Sequence, residues 1–224
     1  MSAHDILRPV AVLNYDENGV RKLMPVSERE FMRSELFIRR VLSADRLERG
    51  RFALIISNLL DGPHVIPLER VLIASGMVVT NCEASPYDGA RIESTIRRFD
   101  VSMVFGVTAL VLDAIASVGF DAATLFRGKV VWASGEAFGR LEGAQGVDLR
   151  RYEIIGPVFA LEGKHGGGAH IDGREWRLEP EGAVTYVTSR LDRAMAFSRL
   201  PLNRGLSLNP EPCVSAAFGP RVFL

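Results

Sequence analysis

Side chains able to do chemistry gather in four places, each just behind a short apolar run: Ser57-Asn58, Asn81-Cys82-Glu83, Gly106-Val107-Thr108 and Ser134-Gly135-Glu136. In open α/β sheets, ligands bind beyond the carboxyl ends of the strands, so these are the first positions to test. Gly106 and Gly135 let backbone approach a flat ligand closely, and Glu136 offers a carboxylate to a donor on it. The competing reading is turn chemistry, with Thr108 as a helix N-cap and Gly135 serving a tight strand-to-helix turn. Among the four histidines, His165 and His170 flank a glycine-rich loop, and with Glu162 they form a candidate metal triad if that loop folds back. The alternative packs one of them on the sheet and leaves the other in water. Cys82 has no histidine near it in sequence and reads as a small buried residue rather than a nucleophile.

Several established motifs are missing. Gly163-Lys164-His165 lacks the upstream glycine and the hydroxyl of a phosphate-cradling Gly-x4-Gly-Lys-Ser/Thr loop. Asn58-Leu59-Leu60-Asp61-Gly62 has one glycine where a dinucleotide fingerprint has three. Neither His-Glu-x-x-His nor Gly-x-Ser-x-Gly occurs.

The elements that must position these residues follow from periodicity. Val10–Leu13 and Val20–Leu23 flank Asp16-Glu17-Asn18-Gly19 and read as a hairpin closed by an Asn-Gly turn. Ser27-Glu28-Arg29-Glu30 is a capping box, opening a helix with Phe31, Ile38, Val41 and Leu42 on one side. Phe52–Ile56 is a wholly apolar run, as a strand covered on both faces requires. A helix through Leu68, Val71 and Leu72 follows, with Pro67 expected in its first turn and Gly76 stopping it. Met77–Thr80 is the next strand, and Ile92, Ile96 and Phe99 recur at helical spacing. The strand Val101–Phe105 is expected to end at Gly106; a helix through Leu110, Val111, Ala114, Ile115 and Val118 and a strand Lys129–Ala133 complete the series. Strands and helices alternating at this spacing imply an α/β fold with a predominantly parallel sheet and right-handed crossovers. After Gly156, period-2 segments such as Glu175–Leu178 and Val184–Val187 predict a β-rich C-terminal part. The expected organisation is an N-terminal hairpin and helix (1–50), an α/β core (51–156) and a β-rich subdomain (157–224).

Composition narrows the function. The chain has 224 residues, with 27 Lys+Arg against 27 Asp+Glu, so no global basic field exists to attract nucleic acid or an anionic membrane. No apolar run approaches a membrane span and the start carries no basic n-region, so no membrane association and no signal peptide are expected. Two cysteines, far apart and without metal-ligand spacing, argue against a disulfide framework and fit a reducing cytoplasm. Nearly all the cations are arginine; the lysines are Lys22, Lys129 and Lys164.

The order of segments resembles the large N-terminal domain of the adenylate-forming (acyl-CoA synthetase) superfamily, closest to the phenylacetate–coenzyme A ligases. The resemblance rests on Leu47–Phe52, Ile66-Pro67 with Ala74-Ser75-Gly76, Ile96–Phe99 and Phe105-Gly106-Val107. It continues through Val131–Glu136, Glu153–Glu162, His170-Ile171 before Trp176–Glu179, and Pro212-Cys213. It implies an ancestral activity in which ATP converts a carboxylic acid to an acyl-adenylate and coenzyme A then takes the acyl group. It also implies a pocket bordered by Gly106 and Val107 on the acyl side and Gly135 and Glu136 on the adenine side, with Glu153 as its remaining acid and Ser134, Gly156 and Pro157 among its residues. No catalytic residue and no metal ligand are assigned.

Departures from the family pattern fall on the ATP chemistry. Where relatives carry a Ser/Thr/Gly-rich phosphate loop, this chain has Leu13–Lys22, with Asp16 and Glu17 in place of small residues. Only Glu153 survives of the family's Tyr-Gly-x-Ser/Thr-Glu block, in which it helps to hold magnesium. The stretch 200–209, where relatives place the ribose-gripping aspartate, contains no acid, and Arg204 sits about there. The lysine-bearing C-terminal domain is expected to be absent. The resulting expectation is a degenerate relative, not a self-sufficient ligase, that binds a small acyl or aryl carboxylate or a protein partner and needs no cofactor. One alternative is an acid-activating, AMP-forming ligase completed by a separate subunit, with ATP, magnesium and coenzyme A as its cofactors. Another is a structural homo-oligomer without a ligand.

Overall fold

A computed structural model describes residues 7–209 and 219–223. Pro212-Cys213, one of the matching segments, lies outside the described residues. The chain divides into two compact units, one running from Arg46 to Tyr152 and the other combining the residues up to Asp45 with those from Glu153 onward.

The terminal unit begins with the hairpin β1 (Pro9–Glu17) and β2 (Val20–Ser27). Glu17 pairs with Val20, and Asn18 and Gly19 both have positive φ, 56° and 82°, as a two-residue turn matching strand twist requires. Helix α1 (Glu28–Val41) starts on the expected capping box: Ser27 Oγ accepts the Glu30 N–H, and the Glu30 carboxylate accepts the Ser27 N–H at 2.9 Å. Phe31, Ile38 and Val41 are buried along it.

The middle unit is the alternating α/β series. It runs β3 (Phe52–Ser57), α2 (Gly62–Ala74), β4 (Val78–Glu83), α3 (Gly89–Arg98), β5 (Val101–Val107), α4 (Ala109–Ser117), α5 (Ala122–Leu125), β6 (Val130–Ala133), α6 (Gly135–Leu141) and β7 (Asp148–Ile155). The strands lie in the order β7-β6-β5-β3-β4, every neighbour parallel. Leu54, Ile56, Val104 and Val131 of the sheet pack with Ile92, Val111, Ile115 and Phe126, all essentially inaccessible.

Three expectations shift here. Pro67 lies inside α2, not in its first turn; Pro63 takes the early position, where a missing N–H costs nothing. Phe99 is the C-cap of α3, with extended backbone and an exposed ring, because Val101 must already be in strand. Gly106 does not end its strand but sits within β5 at a register shift between Phe105 and Val107. With φ at 93° it forms a bulge, and a Cβ there would overlap the Ile56 carbonyl on β3.

From Glu153 the chain rejoins the terminal unit through β8 (Val158–Leu161), β9 (Ala169–His170), β10 (Trp176–Glu181), β11 (Val184–Ser189), β12 (Leu200–Leu202), β13 (Ser207–Asn209) and β14 (Arg221–Phe223). β10-β11-β12 form one antiparallel sheet, and β8, β9, β14 and β13 pair antiparallel in that order. The β-rich C-terminal texture is therefore present. Among the described residues, no helix is long and apolar enough to cross a membrane.

Candidate functional site

In the terminal unit, the hairpin tip closes one side of a cleft of about 370 Å³. Its walls are Asp16, Asn18 and Gly19 from the turn, Ile154, Ile155 and Gly156 from the end of β7, and Leu202, Asn203 and Arg204 after β12. Each wall is fixed by a specific contact. The Asp16 carboxylate accepts the Gly19 N–H at 2.9 Å, tying the turn to itself. The Asn18 side-chain oxygen accepts the Asn203 N–H at 2.8 Å, docking the turn onto the loop after β12. Gly156 has φ 58°, and a Cβ there would stand 2.8 Å from Leu202, so this position is closely approached as well as left-handed.

Arg204 gives the cleft its charge. Its Nη2 lies 3.1 Å from the Glu153 carboxylate and its Nη1 donates to the Ile154 carbonyl at 3.4 Å. Glu153 is buried, while the Arg204 side chain is 39% exposed, so the guanidinium neutralises a buried acid and still reaches solvent. The fully buried Thr185 hydroxyl donates to the Arg204 carbonyl at 2.7 Å and fixes the backbone behind it. Of the residues expected here, Gly156 lines the cleft, Glu153 lies behind it through Arg204, and Pro157 is buried. The docking of Asn18 on Asn203 has no sequence signal, because the partners are 185 residues apart.

In the middle unit, Gly106, Val107, Ser134, Gly135 and Glu136 come together at neighbouring strand ends, with the Ser134 N–H on the Val107 carbonyl at 3.0 Å. Val107 is fully buried, and Thr108 caps α4 through the Val111 N–H. Gly135, φ 51°, opens α6 and is exposed; Glu136 faces Arg140 at 3.8 Å, which pairs with Asp113 at 2.8 Å. The other two strand ends, Ser57-Asn58 and Asn81-Cys82-Glu83, line a separate cavity of about 380 Å³ with Glu69 and Arg91. Much of its polarity is already engaged. Asn58 accepts the Leu60 and Asp61 N–H groups, and Arg91 donates to the Asn81 carbonyl. Burial pushes the Cys82 thiol pKa up, away from a reactive thiolate.

The proposed histidine triad does not assemble. His165 is exposed, His170 is buried in β9, and Glu162 accepts the Gly168 N–H at 2.9 Å. Among the described residues no group of three His, Cys, Asp or Glu is placed to hold a metal ion.

No family model matches this sequence, and no curated protein matches it. Solved structures do. A 2-hydroxyisobutyryl-CoA ligase in complex with 2-HIB-AMP and CoA superposes with a TM-score of 0.63 at 10% identity, over 96% of this chain. This chain shares its fold with that ligase. A luciferase-like enzyme from the mealworm Zophobas morio gives a TM-score of 0.53 at 12% identity over 85% of this chain. An amide bond synthetase from Marinactinospora thermotolerans gives 0.50 at 14% identity over 90%. The chain spans about half the length of these structures: 52%, 49% and 46% respectively.

Proposed function

We propose that this chain is a non-catalytic relative of the phenylacetate–coenzyme A ligases, keeping their fold to bind a small acyl or aryl carboxylate rather than to activate one with ATP. The observation that carries this reading is the chemistry of the hairpin-tip cleft. By the resemblance, the hairpin turn stands where relatives hold phosphates, Glu153 where they hold magnesium and Arg204 where an aspartate grips ribose. Here a polyphosphate would meet the like charge of Asp16, and the Gly19 N–H is already bonded to that carboxylate. Arg204 has donors only, so it cannot accept from ribose hydroxyls, and its pairing occupies Glu153.

The same arginine suits a carboxylate ligand. A guanidinium has five N–H donors, and Arg204 commits two, on Glu153 and the Ile154 carbonyl. Arg204 lines a cleft whose size suits a small acid, where its remaining donors can meet one negative charge, fewer than a polyphosphate brings against Asp16, with Ile154, Ile155 and Leu202 for the apolar part.

Two measurements test this. Calorimetric titration with a panel of acyl and aryl carboxylates is expected to find a saturable ligand whose affinity falls about tenfold or more in Arg204→Ala, the scale of a lost charged hydrogen bond. Carboxylate-dependent exchange of pyrophosphate into ATP is expected to stay at background. Exchange at a rate typical of an enzyme overturns the non-catalytic reading; carboxylate binding indifferent to Arg204 overturns the site.

A further inference from the structure

The middle unit holds a cation-lined cavity of about 500 Å³ at the amino-terminal ends of the parallel strands, away from the strand ends discussed above. Its walls are the last turn of α3, the link from α4 to α5 and the residues entering β6. Three cations line it: Arg97, Arg127 and Lys129. Arg97 is paired with Glu93 at 3.0 Å, whereas Arg127 and Lys129 interact at longer range with Asp121 and Asp100. The single acid in the wall, Asp121, is committed to capping α5, accepting the Thr124 N–H at 2.8 Å. Three cations against one acid in the wall leave a local excess of positive charge, with Asp121 also acting on Arg127 and Asp100 on Lys129.

The apolar part of the cavity is as specific. Phe120 is partly exposed and has the Arg97 guanidinium 5.8 Å from its ring centroid. Ile96 and Leu125 stand in the same wall. An aromatic face beside a group of cations suits a flat ring carrying a phosphate: the ring stacks, and the phosphate meets the cations. We propose that this cavity binds a phosphate monoester of a flat heterocycle, of mononucleotide size, at Arg127 and Lys129 with Phe120 against the ring. Backbone supports the assignment to side chains: the Thr124, Arg127, Gly128 and Lys129 N–H groups are all bonded within the protein, so the cations, not a nest of amides, receive the anion. Burial holds the Lys129 ammonium below its usual pKa, with Arg51 acting in the same direction and Asp100 opposing, so an arriving anion would favour the charged form.

The test is calorimetry on the full chain at low salt, with AMP, inorganic phosphate and adenosine as separate probes. AMP is expected to bind saturably, phosphate more weakly and adenosine without measurable heat. The double variant Arg127→Gln/Lys129→Met, checked for a native circular dichroism spectrum, is expected to weaken AMP about tenfold or more, whereas Arg204→Ala leaves it unchanged. In the unsubstituted protein, added salt is expected to weaken AMP. The proposal is overturned if AMP does not bind, if its affinity ignores salt, or if it depends on Arg204 and not on the pair. Phosphate binding as tightly as AMP overturns the role given to Phe120.

Discussion

His64 makes the stability of this protein pH-dependent in a direction and range that can be calculated. It is the third residue of α2, 6% exposed, and burial lowers its pKa from 6.5 to about 4. Its place in the first helical turn also disfavours a positive charge. Because the folded pKa lies below the unfolded one, the unfolded chain takes up the proton first. Stability from this group is full above pH 6.5, falls as pH drops from 6.5 towards 4, and is gone below that. At about 1.4 kcal/mol per pH unit, the whole separation is worth ~3 kcal/mol, and ~2 kcal/mol of it is lost by pH 5. For a chain of this length that is roughly 4–8 °C in melting temperature. Thermal melts of the parent and of His64→Gln across pH 7 to 4.5 isolate the term, since the carboxylates titrate alike in both. The parent is expected to lose ~2 kcal/mol more than the variant between pH 7 and pH 5. Equal losses in the two proteins would refute the assignment of a buried neutral imidazole.

Two further perturbations follow from named contacts. Gly106→Ala places a Cβ on the Ile56 carbonyl and at φ 93°; left-handed strain alone costs ~1–3 kcal/mol, so a larger loss is expected, read as a fall in urea midpoint. An unchanged midpoint would show that β5 runs without the bulge. Arg193 pairs with Glu30 at 3.0 Å and Glu175 at 3.1 Å and lies over the Trp176 ring, with its own side chain 6% exposed. Arg193→Met leaves buried Glu30 without its cation and Glu175, already pushed up by burial, with Arg33 alone, so about 3–5 kcal/mol should be lost in chemical denaturation. A loss under ~1 kcal/mol would mean that Arg33, 2.6 Å from Glu175, suffices alone.

Sequence by itself determined the local grammar of this protein. The Asn18-Gly19 turn, the Ser27–Glu30 capping box and the strand–helix alternation from Phe52 to Ala133 were legible because each depends on neighbours a few residues away. The α/β architecture shared with the 2-hydroxyisobutyryl-CoA ligase was legible from the order of those segments. Tertiary structure alone decided the rest. That Gly106 bulges instead of terminating β5 depends on how closely Ile56 approaches it. That Glu30 is both a helix cap and an acceptor for the Ala194 N–H depends on a partner 164 residues away. The cleft at the hairpin tip likewise exists because Asn18 meets Asn203 and Arg204 meets Glu153. Periodicity encodes which face of an element is apolar, a property of near neighbours. Which polar groups meet across the fold is set by packing between distant segments, and no spacing along the chain records it.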